Sequence, residues 1–102
     1  MMGEGPQVSL VVPTYNERGN ILPLYQGVCE VLRGRWEFEL LIVDDRSTDG
    51  TPQAVRELAA VDSRVRLIER PRPRMGLGTA LLEGFRHARG RHWVMMDADL
   101  SH

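Results

Sequence analysis

The sequence has no lysine, a single cysteine and no apolar run long enough to span a membrane. All 13 basic residues are therefore Arg, set against 14 acidic residues for a formal net charge of −1. That balance excludes a chain driven globally towards nucleic acid or an anionic membrane. Arg in place of Lys nonetheless supplies planar forks matched to phosphate wherever it clusters. The lone Cys29 rules out an internal disulfide and makes a cytosolic setting the simpler expectation. The opening Met-Met-Gly-Glu-Gly-Pro is not a signal peptide. Internal repeats and low-complexity linkers are also absent. What is present is 42% hydrophobic content in 102 residues, enough for one small globular domain.

Apolar runs and helical stripes alternate along the chain. Residues 8–12 form a β-branched run before Pro13, read as a buried first strand. Asn20 is expected to cap a first helix, with Pro23 tolerated in its first turn and Leu24, Tyr25, Val28, Val31 and Leu32 as its stripe, up to Gly34. Phe38–Val43 is a second, near-continuous apolar run of the kind covered on both faces in a parallel sheet. Thr51 as N-cap with Pro52 behind it opens a second helix striped by Ala54, Val55, Leu58 and Ala59. Residues 65–68 make a third strand. Residues 69–75, with two close prolines, make a loop, and Leu77 to Ala88 a third helix stopped by Gly90. A fourth, buried strand begins at Trp93. The order β-α-β-α-β-α-β predicts an α/β fold: a parallel sheet with helices on both faces and right-handed crossovers.

Such a sheet gathers its strand-to-helix loops at the carboxyl edge, where ligands bind. The first loop offers Tyr15, Asn16 and Glu17. The second offers Asp44, Asp45 and Asp49, and the stretch after strand four offers Asp97, Asp99, Ser101 and His102. So many carboxylates facing one crevice repel each other unless a cation or a donor-rich ligand sits among them. Asp97 and Asp99 share a face if strand four persists through them, or converge from a loop if the chain bends. In either case two hard oxygen ligands suit Mg²⁺ or Mn²⁺ already carried by a phosphate. Each piece also has a plain counterpart. Asp-x-Asp also occurs in an Asp-rich turn, and Asp45 could cap the second helix as readily as touch a ligand. Tyr15 could pack over the first helix, and Arg70, Arg72 and Arg74 could be solvated loop charges rather than phosphate contacts. Gly76-Leu-Gly78 could form an anion-binding helix start or allow close helix–sheet packing. It is not a dinucleotide fingerprint, lacking the third glycine. His87 and His92 are expected at the surface and Cys29 in the core.

Four stretches then occur in a telling order: Val11-Val-Pro-Thr-Tyr-Asn-Glu17, Val43-Asp-Asp-Arg-Ser-Thr-Asp-Gly-Thr51, Gly76-Leu-Gly-Thr-Ala80 with Gly84-Phe85, and Met96-Asp-Ala-Asp-Leu-Ser-His102. Together they resemble the amino-terminal half of a family 2 glycosyltransferase of the GT-A fold, most of all the dolichol-phosphate (polyprenol-phosphate) mannosyltransferases. The resemblance covers nearly everything from residue 8. It implies a flexible terminus at 1–7, followed at 8–102 by a partial domain, the nucleotide-sugar-binding half cut after the Asp-x-Asp motif. Pro13, Tyr15 and Glu17 would line the base and ribose, and Asp45 would accept a hydrogen bond from the base. Asp97 and Asp99 would be the catalytic pair, holding Mg²⁺ or Mn²⁺ on the diphosphate. Ser101 stands where relatives often carry a Gln in the metal shell, and its shorter side chain favours a water bridge over direct ligation. The implied activity is inverting transfer of mannose from GDP-mannose to a polyprenyl phosphate at the cytoplasmic face of a membrane, with no nucleic-acid partner. UDP-glucose or another donor is the alternative, as is a non-catalytic nucleotide-binding fragment. Acceptor and membrane contacts would belong to parts beyond this sequence. A sheet that stopped at strand four would also leave its far edge and apolar surface open.

Overall fold

A computed structural model of the chain describes residues 5–70 and 77–99, with the backbone alone for 77–79. It contains β1 (Val8–Thr14), α1 (Arg18–Leu32), β2 (Phe38–Asp44), α2 (Thr51–Val61), β3 (Val65–Glu69), α3 (Leu77–His87) and β4 (His92–Met95). The strands form one parallel sheet in the order β3-β2-β1-β4. The first two crossovers step outward from β1, and the third returns past it to the other side. For right-handed connections that reversal puts α3 on the face opposite α1 and α2. The packing follows suit. Leu10, Val12, Leu40, Ile42 and Val65 meet Ile21, Leu24, Val28 and Val55 on one face. Val11, Leu41 and Val43 meet Ala80, Leu81 and Phe85 on the other. The α/β architecture read from the alternation is the one observed.

The close approach of α3 to the sheet depends on Gly84. A Cβ placed there would lie 2.3 Å from Val11 Cγ1 and 3.0 Å from Val43 Cγ2, so only glycine lets the helix axis come this near.

Several element boundaries differ from the sequence-based expectation, each for a local reason. Strand β1 runs through Pro13 to Thr14, with Pro13 registered against Val43. The Thr14 carbonyl accepts the Asp45 N–H at 3.0 Å on the β2 side, while the Val11 carbonyl accepts the Met96 N–H at 3.2 Å on the β4 side. The missing N–H of Pro13 therefore faces the β4 side beyond Met95, the last residue in that ladder, and no sheet bond is lost. Helix α1 is capped at Glu17 rather than Asn20, which lies inside the first turn and donates its Nδ2 to Glu17 Oε1 at 2.8 Å. Pro23 falls in the second turn, where Gly19 and Pro23 are both exposed and the released carbonyl can turn to water. Helix α2 has Gly50 at its N-cap (φ 95°), so Thr51 and Pro52 are its first residues. Val31, expected on the buried stripe of α1, is 61% exposed.

Two polar networks tie the elements together away from the carboxyl edge. The Tyr25 hydroxyl donates to Asp62 at 2.7 Å, and Arg64 forks onto the same carboxylate while lying over the Phe38 ring at 4.4 Å. The hydrogen bond to Asp62 and burial push the Tyr25 hydroxyl up to about 12, and Arg64 together with Tyr25 holds the Asp62 carboxyl far below the usual range. On the α3 face, buried Glu39 accepts from Ser9 Oγ at 2.6 Å, Arg66 Nη1 at 2.7 Å and the Arg89 N–H at 2.6 Å. Burial alone would raise the Glu39 carboxyl, but these three donors outweigh it and hold it below its ordinary value. Cys29 is buried, and His87 and His92 are exposed.

Candidate functional site

A cleft of about 390 Å³ opens at the carboxyl edge, between the loop after β1 and the stretch after β4. It lies where the strand order reverses, the position at which open α/β sheets take their ligands. Pro13, Thr14, Tyr15, Glu17, Asp45, Ala80, Asp97, Ala98 and Asp99 line it. Six residues singled out from the sequence, Pro13, Tyr15, Glu17, Asp45, Asp97 and Asp99, are thus brought to one space. Ser101 and His102 lie outside the described residues, as do Arg72, Arg74 and Gly76.

The wall formed by the loops after β1 and β2 is held by a dense set of cross-loop hydrogen bonds. Asp44 is fully buried; its Oδ1 accepts from the Thr14 and Ser47 hydroxyls at 2.7 and 2.6 Å, and its Oδ2 accepts the Ser47 N–H at 2.8 Å. Asn16 and Arg46 both adopt left-handed conformations (φ 54° and 64°), a local cost that this lacing sustains. The Asn16 N–H donates to Ser47 Oγ, and the Asn16 side-chain carbonyl accepts the Thr48 N–H. Asp49 serves two helices at once: Oδ2 accepts the Arg18 N–H that opens α1, and Oδ1 accepts the Thr51 N–H that opens α2. The Thr51 hydroxyl, followed by these backbone donors, holds the Asp49 carboxyl below its ordinary value.

Asp45 stands one residue further into the loop and is treated very differently from Asp44. Its backbone is pinned to Thr14, but its Oδ1 is buried without a hydrogen-bond partner among the described residues. The nearby cation is Arg70, with Nε 3.8 Å from that oxygen. Arg70 is only 5% exposed, so it is not a solvated loop charge. Tyr15 is 61% exposed over the cleft rather than packed onto α1.

On the opposite wall the strand ends at Met95 and the chain turns at Ala98 and Asp99. The loop alternative for Asp97 and Asp99 is therefore the one observed. Both are exposed, and each already has a polar or charged contact. Ala98 between them is buried and anchors the turn in the α1-side core. Among the described residues no three His, Cys, Asp or Glu side chains cluster as a closed metal cage. A pair of carboxylates, as hard oxygen donors, suits a hard cation that keeps waters and takes its other oxygens from a phosphate. Thr14 and Ala80 were not foreseen as cleft residues. Thr14 could have been, since it lies between Pro13 and Tyr15. Ala80 is brought there by the fold, as the small residue in the first turn of α3.

The model of the family described as "Glycosyl transferase family 2" matches residues 9–102. A protein named dolichol-phosphate mannosyltransferase from Pyrococcus furiosus is 40% identical over 96 residues, covering 94% of this chain and 26% of that protein. The solved mannosyltransferase PcManGT from Pyrobaculum calidifontis, in complex with GDP-Man and Mn²⁺, superposes with a TM-score of 0.80 at 39% identity. That match covers 93% of this chain and 28% of the neighbour. Staphylococcus aureus TarS 1–349, in complex with UDP-GlcNAc, superposes with a TM-score of 0.79 at 28% identity, over 91% of this chain and 26% of its own. The chain thus spans about a quarter of the length of these relatives. With the motifs in order, the strand reversal and the cleft all in agreement, the chain belongs to glycosyl transferase family 2.

Proposed function

We propose that the protein acts in mannosyl transfer from GDP-mannose to a polyprenyl phosphate, and that this chain supplies the donor site. The observation that carries the reading is the cleft itself, which sets an acceptor-rich wall at Asp45, Glu17 and Tyr15 across from a carboxylate pair at Asp97 and Asp99. Likeness to the mannosyltransferase solved with GDP-Man and Mn²⁺ supports mannose and guanine over other donors. Tyr15 and Pro13 offer flat apolar surface to the base, and Asp45 offers an oxygen to its ring N–H groups. Glu17, which lines the same cleft, offers a carboxylate to a ribose hydroxyl.

Asp97 and Asp99 are the residues that would hold Mg²⁺ or Mn²⁺, and the bound ion would neutralise charge growing on the departing diphosphate. Both carboxylates line the cleft and are exposed, which supports their reaching a diphosphate bound there. An acceptor phosphate is already anionic, so this cleft need not supply a strong general base. Attack from the face opposite the diphosphate inverts the anomeric carbon. The reading places no contact to the lipid phosphate or to a membrane surface on the described residues. Among the described residues no helix is long and apolar enough to cross a membrane.

The test is mannosyl transfer from radiolabelled GDP-mannose to a polyprenyl phosphate, with and without chelator, alongside Asp99→Asn. Loss of transfer in chelator and in the variant is expected; full activity in either overturns the metal assignment. A uridine donor is the second reading, favoured by the almost equal superposition on TarS with UDP-GlcNAc. Tighter binding of UDP than of GDP would establish it.

A further inference from the structure

Arg70 follows β3 directly and was expected to share its role with Arg72 and Arg74. The structure sets it apart. Its side chain is 3% exposed, and it is absent from the cleft wall although Asp45, with Oδ1 3.8 Å from its Nε, is part of that wall. The Arg70 N–H donates to the Asp44 carbonyl at 3.0 Å, so its backbone is fixed to the strand end that carries Asp45. A guanidinium removed from water to this degree is costly unless opposite charge faces it. At 3.8 Å the contact is electrostatic and too long for a hydrogen bond, so the carboxylate keeps its accepting capacity. With Oδ1 buried on the guanidinium side, the remaining exposure of Asp45 is turned to the cleft.

We infer that Arg70 is a positioning residue, holding the Asp45 carboxylate aimed so that the donor N–H groups of a nucleoside base are recognised. The inference rests on the nucleotide reading above and adds a residue that need not touch the ligand. Among the described residues no hydrogen bond restrains the Asp45 side chain, since its one backbone bond, to Thr14, fixes the main chain alone. The planar fork of Arg suits this role better than the point charge of Lys.

A double-mutant cycle tests it. Calorimetric titrations with GDP and with pyrophosphate, both in Mg²⁺, are made on wild type, Arg70→Gln, Arg70→Lys, Asp45→Asn and the Arg70→Gln/Asp45→Asn pair. Arg70→Gln is expected to weaken GDP about tenfold, the scale of one charge-assisted hydrogen bond, and to leave pyrophosphate unchanged. The same substitution in the Asp45→Asn background should cost nothing further. Arg70→Lys keeps the buried charge and should lose part of the GDP affinity; it carries the test if the Gln variant fails to fold. Equal losses for GDP and pyrophosphate, or a full loss in the Asp45→Asn background, would show a merely structural residue. Wild type that prefers GDP over pyrophosphate with Arg70→Gln unaltered overturns the positioning role alone. Wild type that binds the two equally overturns base recognition, and the inference with it.

Discussion

Strands β2 and β4 are both written as apolar runs, yet they are buried to opposite degrees. Every residue of β2 is buried, and every residue of β4 is exposed, Trp93 at 53% and Met95 at 59%. The cause lies in their neighbours. β2 is flanked by β1 and β3 and sandwiched between helices, whereas β4 pairs with β1 alone among the described residues. One face of β4 is met by the Phe85 ring, stacked on Trp93 at 5.2 Å. On the other, an apolar hollow of about 470 Å³ lies open between Val28, Val31 and Leu32 of α1 and Val94, Met95 and Met96. The two walls of the cleft inherit this difference. The wall at residues 14–18 and 44–51 hangs on a buried strand and is cross-linked by side chains, while the wall at 97–99 hangs on an exposed one. A near-continuous apolar run thus marks a strand suited to burial on both faces, and burial itself depends on what is packed there.

The largest expected effect separates the two strands directly. Leu41→Ala removes a fully buried side chain and should cost about 3 kcal/mol, whereas Val94→Ala should cost less than about 1 kcal/mol. Denaturant melts of both variants measure this. A Val94 loss as large as that of Leu41 would mean that β4 is covered in solution, and the contrast between the strands would vanish.

The next effect contrasts neighbours on the better-supported wall. Asp44→Ala strips three donors of their acceptor in a buried setting and should lower stability by about 2 kcal/mol. Asp45→Ala takes away the carboxylate that faces the buried Arg70 guanidinium, so it should lower stability as well, and it should in addition weaken GDP binding by roughly 1.5–3 kcal/mol. Equal Asp45→Ala losses for GDP and for a base-free diphosphate would undo the assignment to the base.

Much of this arrangement was legible in the sequence, because the alternation of apolar runs and stripes is local and each loop carries its own polar residues. The helix starts were not legible, because they are set from afar. Asn20 and Thr51 looked like caps, but the donors of both helices are met by Asp49, in a different loop from one of them. The extension of β1 through Pro13 needed the knowledge that β4 stops at Met95. Arg70 looked like one of three alike arginines, and only the fold reveals its burial beside Asp45. Gly84 falls on the apolar stripe of α3 that the spacing predicts, but its contact with Val11 exists only once α3 has crossed the sheet.

The smallest expected effect concerns the tie between the two strands. Glu39 on β2 accepts the Arg89 N–H and the Ser9 hydroxyl, and Ser9 Oγ in turn accepts the Gly90 N–H at 2.7 Å. This chain of bonds holds the entry to β4 against β1 and β2. The Glu39 carboxyl is held below its ordinary value by these donors, so folding gains from its ionised form above the unfolded-chain value of about 4.3. That gain is lost as pH falls through the lower, folded value. Because the bonds end on the α3–β4 connection, the exposed strand should loosen before the core does. The Trp93 indole, bonded to the Gly90 carbonyl at 3.0 Å, sits at that point and can report it. With Trp36→Phe leaving Trp93 as the single tryptophan, its fluorescence should change at a higher pH than far-ultraviolet circular dichroism does. Glu39→Gln should bring the two transitions together, since its side chain no longer titrates. Coincident transitions with Glu39 intact would show that β4 is held as firmly as β2 in acid, and that the difference between the strands is one of exposure without a difference in attachment.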